Sequence, residues 1–211
     1  MLNVLIACEE SQTELSAFLN AGCNAYSCDL QRCSGRFPSR HILGDALQAI
    51  VPGSFVMLQD GTPLCVPQWD LIIAHPPCTY LSRAAGNLLF KGHTLDVERY
   101  KKGLEAREFF MQLYTAPAPF IAVENPVPFR IFNLPPPSCA VNPYDFGAPW
   151  SKKTLFWLKG LPPLMSTIIH PSPRSYVHCT KGNKKRSKSF DVIANAMAAQ
   201  WVPVVLSYKF L

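Results

Sequence analysis

The chain of 211 residues is long enough to form one domain with a sizeable core. Hydrophobic residues make up 48% of it and charged residues 16%, which is typical of a globular protein and excludes a disordered one. No apolar run approaches the ~18 residues that cross a bilayer, and the N-terminal segment lacks the basic start of a signal peptide. We therefore expect a soluble, cytoplasmic protein with a single domain over residues 1–211.

The formal net charge of +6 is concentrated in one part of the chain. Residues 151–190 contain nine Lys or Arg and no Asp or Glu, whereas residues 1–150 contain ten basic and thirteen acidic residues. The excess peaks in a run that contains Lys181, Lys184, Lys185, Arg186 and Lys188. Such a run is most often a solvated loop. Its functional interpretation is a surface that contacts phosphates and binds nucleic acid without reading its sequence.

Eight cysteines raise the question of disulfides or a metal site. Their spacing is irregular and no export signal is visible, so we expect them to be reduced. Cys23, Cys28 and Cys33 are five residues apart and His41 follows, but this spacing matches none of the usual zinc knuckles. We therefore expect no metal site.

The first third of the chain alternates between predicted strands and helices. Leu2–Ala7 is an apolar run that predicts a first strand. A helix is predicted to begin after the capping side chains of Ser11–Thr13 and to end at Gly22. Cys23–Cys28 predicts a second strand, and a short third strand and a helical turn follow. Residues 51–68, rich in Gly and Pro, predict an irregular or hairpin insertion.

Two aspartates follow strands in this part of the chain. Asp29 ends the second strand, about twenty positions beyond the first turn, and Asp45 follows the third strand. In nucleotide-binding folds a carboxylate after the second strand accepts the ribose hydroxyls. The spacing alone is at least as consistent with aspartates that cap a helix or stabilise a turn.

The later part of the chain continues the alternation. Residues 83–92 form a glycine-punctuated loop of the kind that closes over a site. Asp96–Tyr114 predicts the clearest helix. Its apolar face is expected to consist of Leu104, Phe109, Phe110 and Leu113. Residues 131–150 are proline-rich and predict a loop. Thr154–Leu158 then predicts a strand and Phe190–Trp201 a final helix. The pattern predicts an α/β fold with a doubly wound, mostly parallel sheet.

Two predicted strands end in prolines. Leu71–Ala74 is followed by His75-Pro-Pro-Cys78, and Phe120–Val123 by Glu124-Asn-Pro126. Prolines stop a strand and keep the chain extended, so a thiol and a carboxylate are each held on a stiff loop. Both are expected at the carboxyl edge of the sheet, where ligands of such folds bind. Taken alone, Cys78 is equally consistent with a small, buried and inert residue.

The ordered set of motifs resembles the catalytic domain of the cytosine-5 DNA methyltransferases, especially small phage-type members. That family shows a proline-cysteine loop, a Glu-Asn-Val strand end, a Gln-x-Arg-x-Arg strand entry and a C-terminal Gly-Asn segment, in that order. The corresponding segments span nearly the whole chain: Pro77-Cys78 with Ser82, Glu124-Asn125-Pro126, Pro149–Thr154 and Ile193–Ala196. The resemblance implies a Rossmann-like fold, S-adenosylmethionine as cofactor, DNA as partner, and phage modification or evasion of host restriction.

The resemblance also implies roles for individual residues. Cys78 would attack carbon 6 of cytosine and make carbon 5 nucleophilic, Glu124 would protonate the ring, and Lys152 or Lys153 would activate the thiol. The positions implied for the cofactor are Ala7, Cys8, Glu9, Asp29, Asp45, Pro76 and Asn195. Those implied for the base are Ser82, Asn125, Lys152, Lys153 and Thr154.

Three departures from the family pattern are visible. The turn Ala7–Ser11 has no glycine and two carboxylates, where the family has a glycine-rich turn for the methionine end of the cofactor. Thr154 stands at the position of a second arginine, whose bidentate contact a lysine cannot make. A basic, irregular segment at about residues 159–189 takes the place of a large target-recognition domain. We therefore expect little sequence specificity, a free nucleotide substrate, or a protein partner that supplies specificity.

Two alternatives stay open. His75-Pro-Pro-Cys78 is also similar to the Asp-Pro-Pro-Tyr loop of amino-methyltransferases, which predicts methylation of the cytosine N4 amine. Loss of the glycine turn and of the second arginine is also compatible with a nucleotide-binding or nucleic-acid-binding relic or decoy. The presence of both Cys78 and Glu124 favours an enzyme.

Overall fold

The computed structural model describes residues 1–180 and 189–209. In chain order, the elements are β1 (Asn3–Ala7), α1 (Thr13–Asn20), β2 (Asn24–Asp29), β3 (His41–Leu43), α2 (Ala46–Ala49), β4 (Phe55–Met57), β5 (Pro63–Cys65), β6 (Leu71–Ala74), α3 (Gly86–Leu89), β7 (Phe90–Lys91), β8 (Thr94–Leu95), α4 (Val97–Tyr114), β9 (Phe120–Asn125), β10 (Cys139–Val141), β11 (Trp150–Ser151), β12 (Thr154–Lys159), β13 (Arg174–Ser175), α5 (Tyr176–Cys179) and α6 (Asp191–Lys209).

Seven strands form one central sheet in the order β10-β12-β9-β6-β1-β2-β3. The strands from β9 to β3 in this order are parallel, whereas β12 runs antiparallel to both β9 and β10. All four residues of β6 are buried, because helices cover both faces of the sheet. The predicted fold class, an α/β domain with a doubly wound, mostly parallel, Rossmann-like sheet, is confirmed.

The core lies in two layers, one on each face of the sheet. On one face, α1 and α6 pack on alternate strand residues, and the ring of Trp201 meets that of Phe156 edge-on at 5.9 Å between centroids. On the other face, α4 and the β4–β5 hairpin cover the remaining residues, and Phe110 meets Trp157 edge-on at 5.0 Å. The predicted hairpin within residues 51–68 is therefore present as β4 and β5.

The final helix is longer than predicted. α6 continues beyond Trp201 to Lys209 and passes through Pro203, which removes a helical hydrogen bond. Val202 and Val205 beyond the predicted end are buried, and this burial offsets the proline. Neither α6 nor any other helix in the described part of the chain is long and apolar enough to cross a membrane.

Two further sequence predictions were wrong. Leu104 is 42% exposed and does not belong to the buried face of α4, where Gly103 lies against the ring of Phe132 instead. The proline-rich stretch at residues 131–150 contains an edge strand, β10, which is too short to show a periodic pattern. Both errors concern contacts between segments distant in sequence.

Replacement of Gly103 by Ala is expected to destabilise the fold. An added Cβ would overlap the ring of Phe132, which is buried and stacked on Tyr100 at 5.8 Å. Overpacking costs about 1–3 kcal/mol and outweighs the gain in helix propensity of about 1 kcal/mol. Urea unfolding should show a lower free energy of unfolding for Gly103→Ala, and little change for Gly44→Ala, where a Cβ meets nothing within 4 Å. Equal stability of the two variants would contradict this packing.

Candidate active site

The site lies where the strand order of the sheet reverses. Going out from β1, strands β2 and β3 lie on one side and β6 and β9 on the other. Ligands of open α/β sheets bind outside the carboxyl ends of the strands at such a switch point. The backbone N–H of His75 donates to the carbonyl of Ala7 at 2.9 Å, so the loops after β6 and β1 leave the sheet side by side.

The Cys78 loop and the Glu124 loop are joined by backbone hydrogen bonds. Arg83 N–H donates to the Val127 carbonyl at 2.9 Å, and Phe129 N–H donates to the Leu81 carbonyl at 2.8 Å. The Cys78 carbonyl accepts from Leu81 at 3.1 Å, closing a turn directly after the thiol. The two loops therefore form one unit. The prolines that end each strand keep the chain extended where it leaves the sheet.

Helix α4 holds the Cys78 turn from the opposite side. The Arg99 guanidinium donates to the Thr79 carbonyl at 2.8 Å and lies 4.9 Å from the centroid of the Tyr80 ring. A cation above an aromatic face adds attraction to the hydrogen bond. The Cys78 turn is thus fixed by both backbone and side-chain contacts.

The thiol of Cys78 is held in its neutral form. Burial raises its pKa, and the nearby charge of Glu124 raises it further. Lys152 acts in the opposite direction, as expected from the sequence, but it does not outweigh the other two effects. The resting site therefore brings together a protonated thiol, a carboxyl group and a lysine.

Two residues at the centre of this site were missed by sequence reasoning. His75 Nδ1 lies 3.3 Å from Glu124 Oε2, and His75 Nε2 lies 3.4 Å from Glu14 Oε1. Burial by itself lowers the pKa of His75, but the charge of Glu14 and the hydrogen bond with Glu124 outweigh burial and raise it. A histidine directly after a wholly apolar strand was the available signal; nothing in the spacing predicted that Glu14 meets it.

Glu9 and Glu14 form a buried carboxyl pair. Glu9 accepts the backbone N–H groups of Glu14 at 2.7 Å and Leu15 at 3.3 Å, and so caps α1 in place of the predicted Ser11–Thr13 side chains. Burial and the charge of Glu14 raise the pKa of Glu9. Burial opposes ionisation of Glu14, but His75 lowers its pKa. The surroundings therefore favour the protonated form of Glu9 and the ionised form of Glu14.

A small cavity opens beside His75, with room for about one water molecule. Its walls come from α1, the strand ends and the start of α6: Glu14, His75, Glu124, Lys152, Thr154, Phe156, Ser189, Phe190 and Ile193. Lys152 Nζ lies 5.5 Å from the centroid of the Phe190 ring at this cavity. Two of the residues predicted to contact the base, Lys152 and Thr154, thus share a cavity with Glu124.

The other residues predicted for the base lie elsewhere. Ser82 and Lys153 line an open groove, together with Arg83. Asn125 is fully buried, and its side-chain amide donates to the Pro76 carbonyl at 3.1 Å, which ties the two loops together again. Lys181, Lys184, Lys185, Arg186 and Lys188, predicted to contact nucleic acid, lie outside the described residues.

The glycine-free turn after β1 adopts a conformation that usually favours glycine. Cys8 has φ 61° and Gln12 has φ 60°, both in the left-handed region. The buried side chain of Gln12 offsets part of the strain, because its amide donates to the Phe37 carbonyl at 2.8 Å and accepts from the Phe37 N–H at 2.9 Å.

Asp29 and Asp45 converge on Cys8. Burial raises the pKa of the Cys8 thiol to about 12, and the charges of both aspartates contribute. Each also accepts a local backbone hydrogen bond, Asp29 from Gln31 at 2.8 Å and Asp45 from Leu47 at 2.9 Å. The capping interpretation therefore holds for both, and their position at one sheet edge keeps the nucleoside interpretation open.

The residues at this edge fit the nucleoside half of S-adenosylmethionine. Two carboxylates lie near the turn at Cys8, whose backbone is in the left-handed region. Carboxylates accept hydrogen bonds from hydroxyl groups such as those of a ribose. The methionine end meets a different environment, because Glu9 already accepts the N–H groups at the start of α1. Of the other residues predicted for the cofactor, Ala7 and Pro76 are buried, and Asn195 is exposed and does not line the cavity.

The comparisons with known proteins find matches among solved structures alone. No protein-family model matches the chain, and no curated protein matches it. Solved structures that match include an E. coli prophage protein, provisionally described as a DNA modification methyltransferase. It is 16% identical and covers 82% of this chain with a TM-score of 0.46, and this chain spans 53% of its length. At these values the match says nothing of function here.

The rate at which iodoacetamide alkylates Cys78 should depend on the charges of the neighbouring side chains. Because the thiolate is the nucleophile, Glu124→Gln is expected to speed the reaction at pH 8 and Lys152→Gln to slow it, since the two groups shift the Cys78 pKa in opposite directions. Peptide mass spectrometry separates Cys78 from exposed Cys65, whose rate should not change. Rates that move together in the two variants would contradict the described electrostatics.

Proposed function

We propose that the protein is an S-adenosylmethionine-dependent methyltransferase that acts on carbon 5 of cytosine in DNA through a covalent adduct with Cys78. The observation that carries the proposal is the pairing of Cys78 and Glu124 on two hydrogen-bonded loops at the switch point of the sheet. The reaction requires a nucleophile that attacks carbon 6 and an acid that protonates the ring. A thiol and a carboxyl group supply these two functions.

The proposed reaction begins with transfer of the Cys78 proton to the Glu124 carboxylate. The thiolate forms a bond to carbon 6, and the electrons of the carbon 5–carbon 6 double bond form a carbon 4–carbon 5 double bond. The electrons of the N3–carbon 4 double bond move to N3, which takes the proton from Glu124. Carbon 5 is then enamine-like and nucleophilic. When bound, the cofactor supplies an electrophilic methyl group. The carbon 5 proton then passes to water and the bond between carbon 6 and sulfur breaks. Return of the N3 proton through Glu124 to the departing thiolate restores the aromatic ring and the Cys78 thiol.

The surroundings of Cys78 support a polynucleotide substrate. Arg83 and Lys153 lie on the open groove next to the Cys78 and Glu124 loops, where they suit contacts with phosphates. Such contacts position a strand without reading its bases, so we propose low sequence specificity or a protein partner that supplies it. A duplex would have to release the target base, whereas a single strand presents it directly.

Methyl transfer tests the role of Cys78. Transfer from radiolabelled S-adenosylmethionine to duplex DNA, single-stranded DNA, RNA and deoxycytidine nucleotides is expected for a cytosine-containing substrate. Cys78→Ala should abolish it, and Glu124→Gln should lower it roughly 10²- to 10⁴-fold, the range for loss of a general acid. Cys65→Ala, on the β4–β5 hairpin away from the site, is the matched control and should retain activity.

Mass spectrometry of the modified nucleoside decides between the chemical alternatives. Methyl on carbon 5 is expected, and methyl on N4 would exclude the covalent mechanism in favour of amino-methylation. Full activity of Cys78→Ala would remove the thiol from the reaction.

Calorimetry tests the cofactor. The parent protein should bind S-adenosylmethionine, and Asp29→Asn should weaken binding roughly 10- to 100-fold, since a hydrogen bond to a charged group contributes about 1.5–3 kcal/mol. Asp60→Asn, in the turn between β4 and β5 with a similar backbone contact, should leave the affinity unchanged. Failure of the parent to bind would favour a relic or decoy over an enzyme.

A further inference from the structure

His75 lies between two carboxyl groups that come from different elements. Its Nε2 faces Glu14 of α1 at 3.4 Å, and its Nδ1 faces Glu124 of β9 at 3.3 Å. Neutral imidazole carries a proton on one nitrogen, whereas imidazolium donates from both. Nδ1 makes a hydrogen bond with Glu124, and Nε2 lies at ion-pair distance from Glu14 without a hydrogen bond. Because a carboxylate lies on each side of the ring, the arrangement suits the cation.

The charges around His75 favour the same form. Glu14 and Glu124 attract its proton, Lys152 before β12 repels it, and Glu9 lies beyond Glu14. Burial and Lys152 lower the pKa of His75, and the two carboxylates outweigh them and raise it. The side chain is only 13% exposed, so solvent and salt screen these interactions weakly.

We propose that His75 is a positioning residue that orients the Glu124 carboxyl group and holds a positive charge beside it, with Glu14 as the balancing anion. The chemical consequence rests on the proposed function of Glu124 as the acid. When Glu124 protonates cytosine N3, its O–H bond breaks, the N3–H bond forms and the electron pair stays on the carboxylate. A fixed imidazolium at 3.3 Å stabilises that new charge.

The proposed role predicts an unusual pH dependence. The Cys78 proton passes through Glu124 to N3, so this transfer leaves no net dependence on pH, whereas the imidazolium is present only below the raised pKa of His75. In the parent, the rate should therefore be level below the pKa of His75 and fall above it. In His75→Gln, the rate should be lower and should stay level across the same range. A histidine that only fills space would not change the shape of this profile.

Exchange of tritium from a single-stranded oligonucleotide containing [5-³H]cytosine measures this step without the cofactor. Thiol attack and ring protonation make carbon 5 enamine-like, so its hydrogen exchanges with water. His75→Gln is expected to lower exchange roughly 10- to 100-fold with an unchanged KM for the oligonucleotide, a smaller loss than removal of a direct oxyanion donor. His93→Gln, at an exposed histidine of the β7–β8 hairpin, is the matched control and should exchange like the parent.

NMR titration of the His75 ring separates failure of this inference from failure of the proposed function. The His75 pKa should lie above 6.5 in the parent and fall in Glu14→Gln, while Glu98→Gln, on the exposed face of α4, should not move it. An ordinary pKa, or one indifferent to Glu14→Gln, overturns the inference whatever the activity. No exchange in the parent, with the titration as described, overturns the proposed function and with it the role of His75 in proton transfer. A parallel loss at all pH values in folded His75→Gln also overturns it.

Discussion

The register of β6 between its two parallel neighbours determines where the reactive groups lie. Ala74 pairs with Ala7 of β1 on one side and with Val123 of β9 on the other. The next residue of each strand therefore emerges at the same level, which brings His75 beside Glu124 on one face of the sheet. Because side chains alternate with a period of two, a slip of one residue would turn His75 to the opposite face. The site thus depends on backbone pairing before any side chain contributes.

Much of the fold could be predicted because its central strands are fully buried. Buried parallel strands are continuous apolar runs, and prolines mark their ends clearly in β6 and β9. The errors occurred where contacts distant in sequence override a local pattern. Gly103 lies on the buried face of α4 because Phe132 packs there, and α6 continues through Pro203 because the sheet extends beneath it. Neither contact is visible in the neighbouring residues.

The candidate site was predicted in part. Cys78 and Glu124 stand out in the sequence because each follows a proline-stopped strand, and the structure places them close enough to interact. Glu14 was not predicted, since an acidic residue in the first turn of a helix is usually an exposed favourable charge. Its burial against His75 depends on the packing of α1 on the sheet edge. The protonation of Cys78 also could not be predicted, because it reflects burial rather than residue type.

The capping of α1 by Glu9 places a carboxyl group of the chain itself where many nucleotide-binding folds receive an anion from the ligand. Binding of a ligand carboxylate there would be an exchange of one carboxyl group for another. Only the difference between two similar interactions would remain as affinity. Any ligand at this place would be recognised mainly through its other groups, while the first turn of α1 is capped by the chain itself.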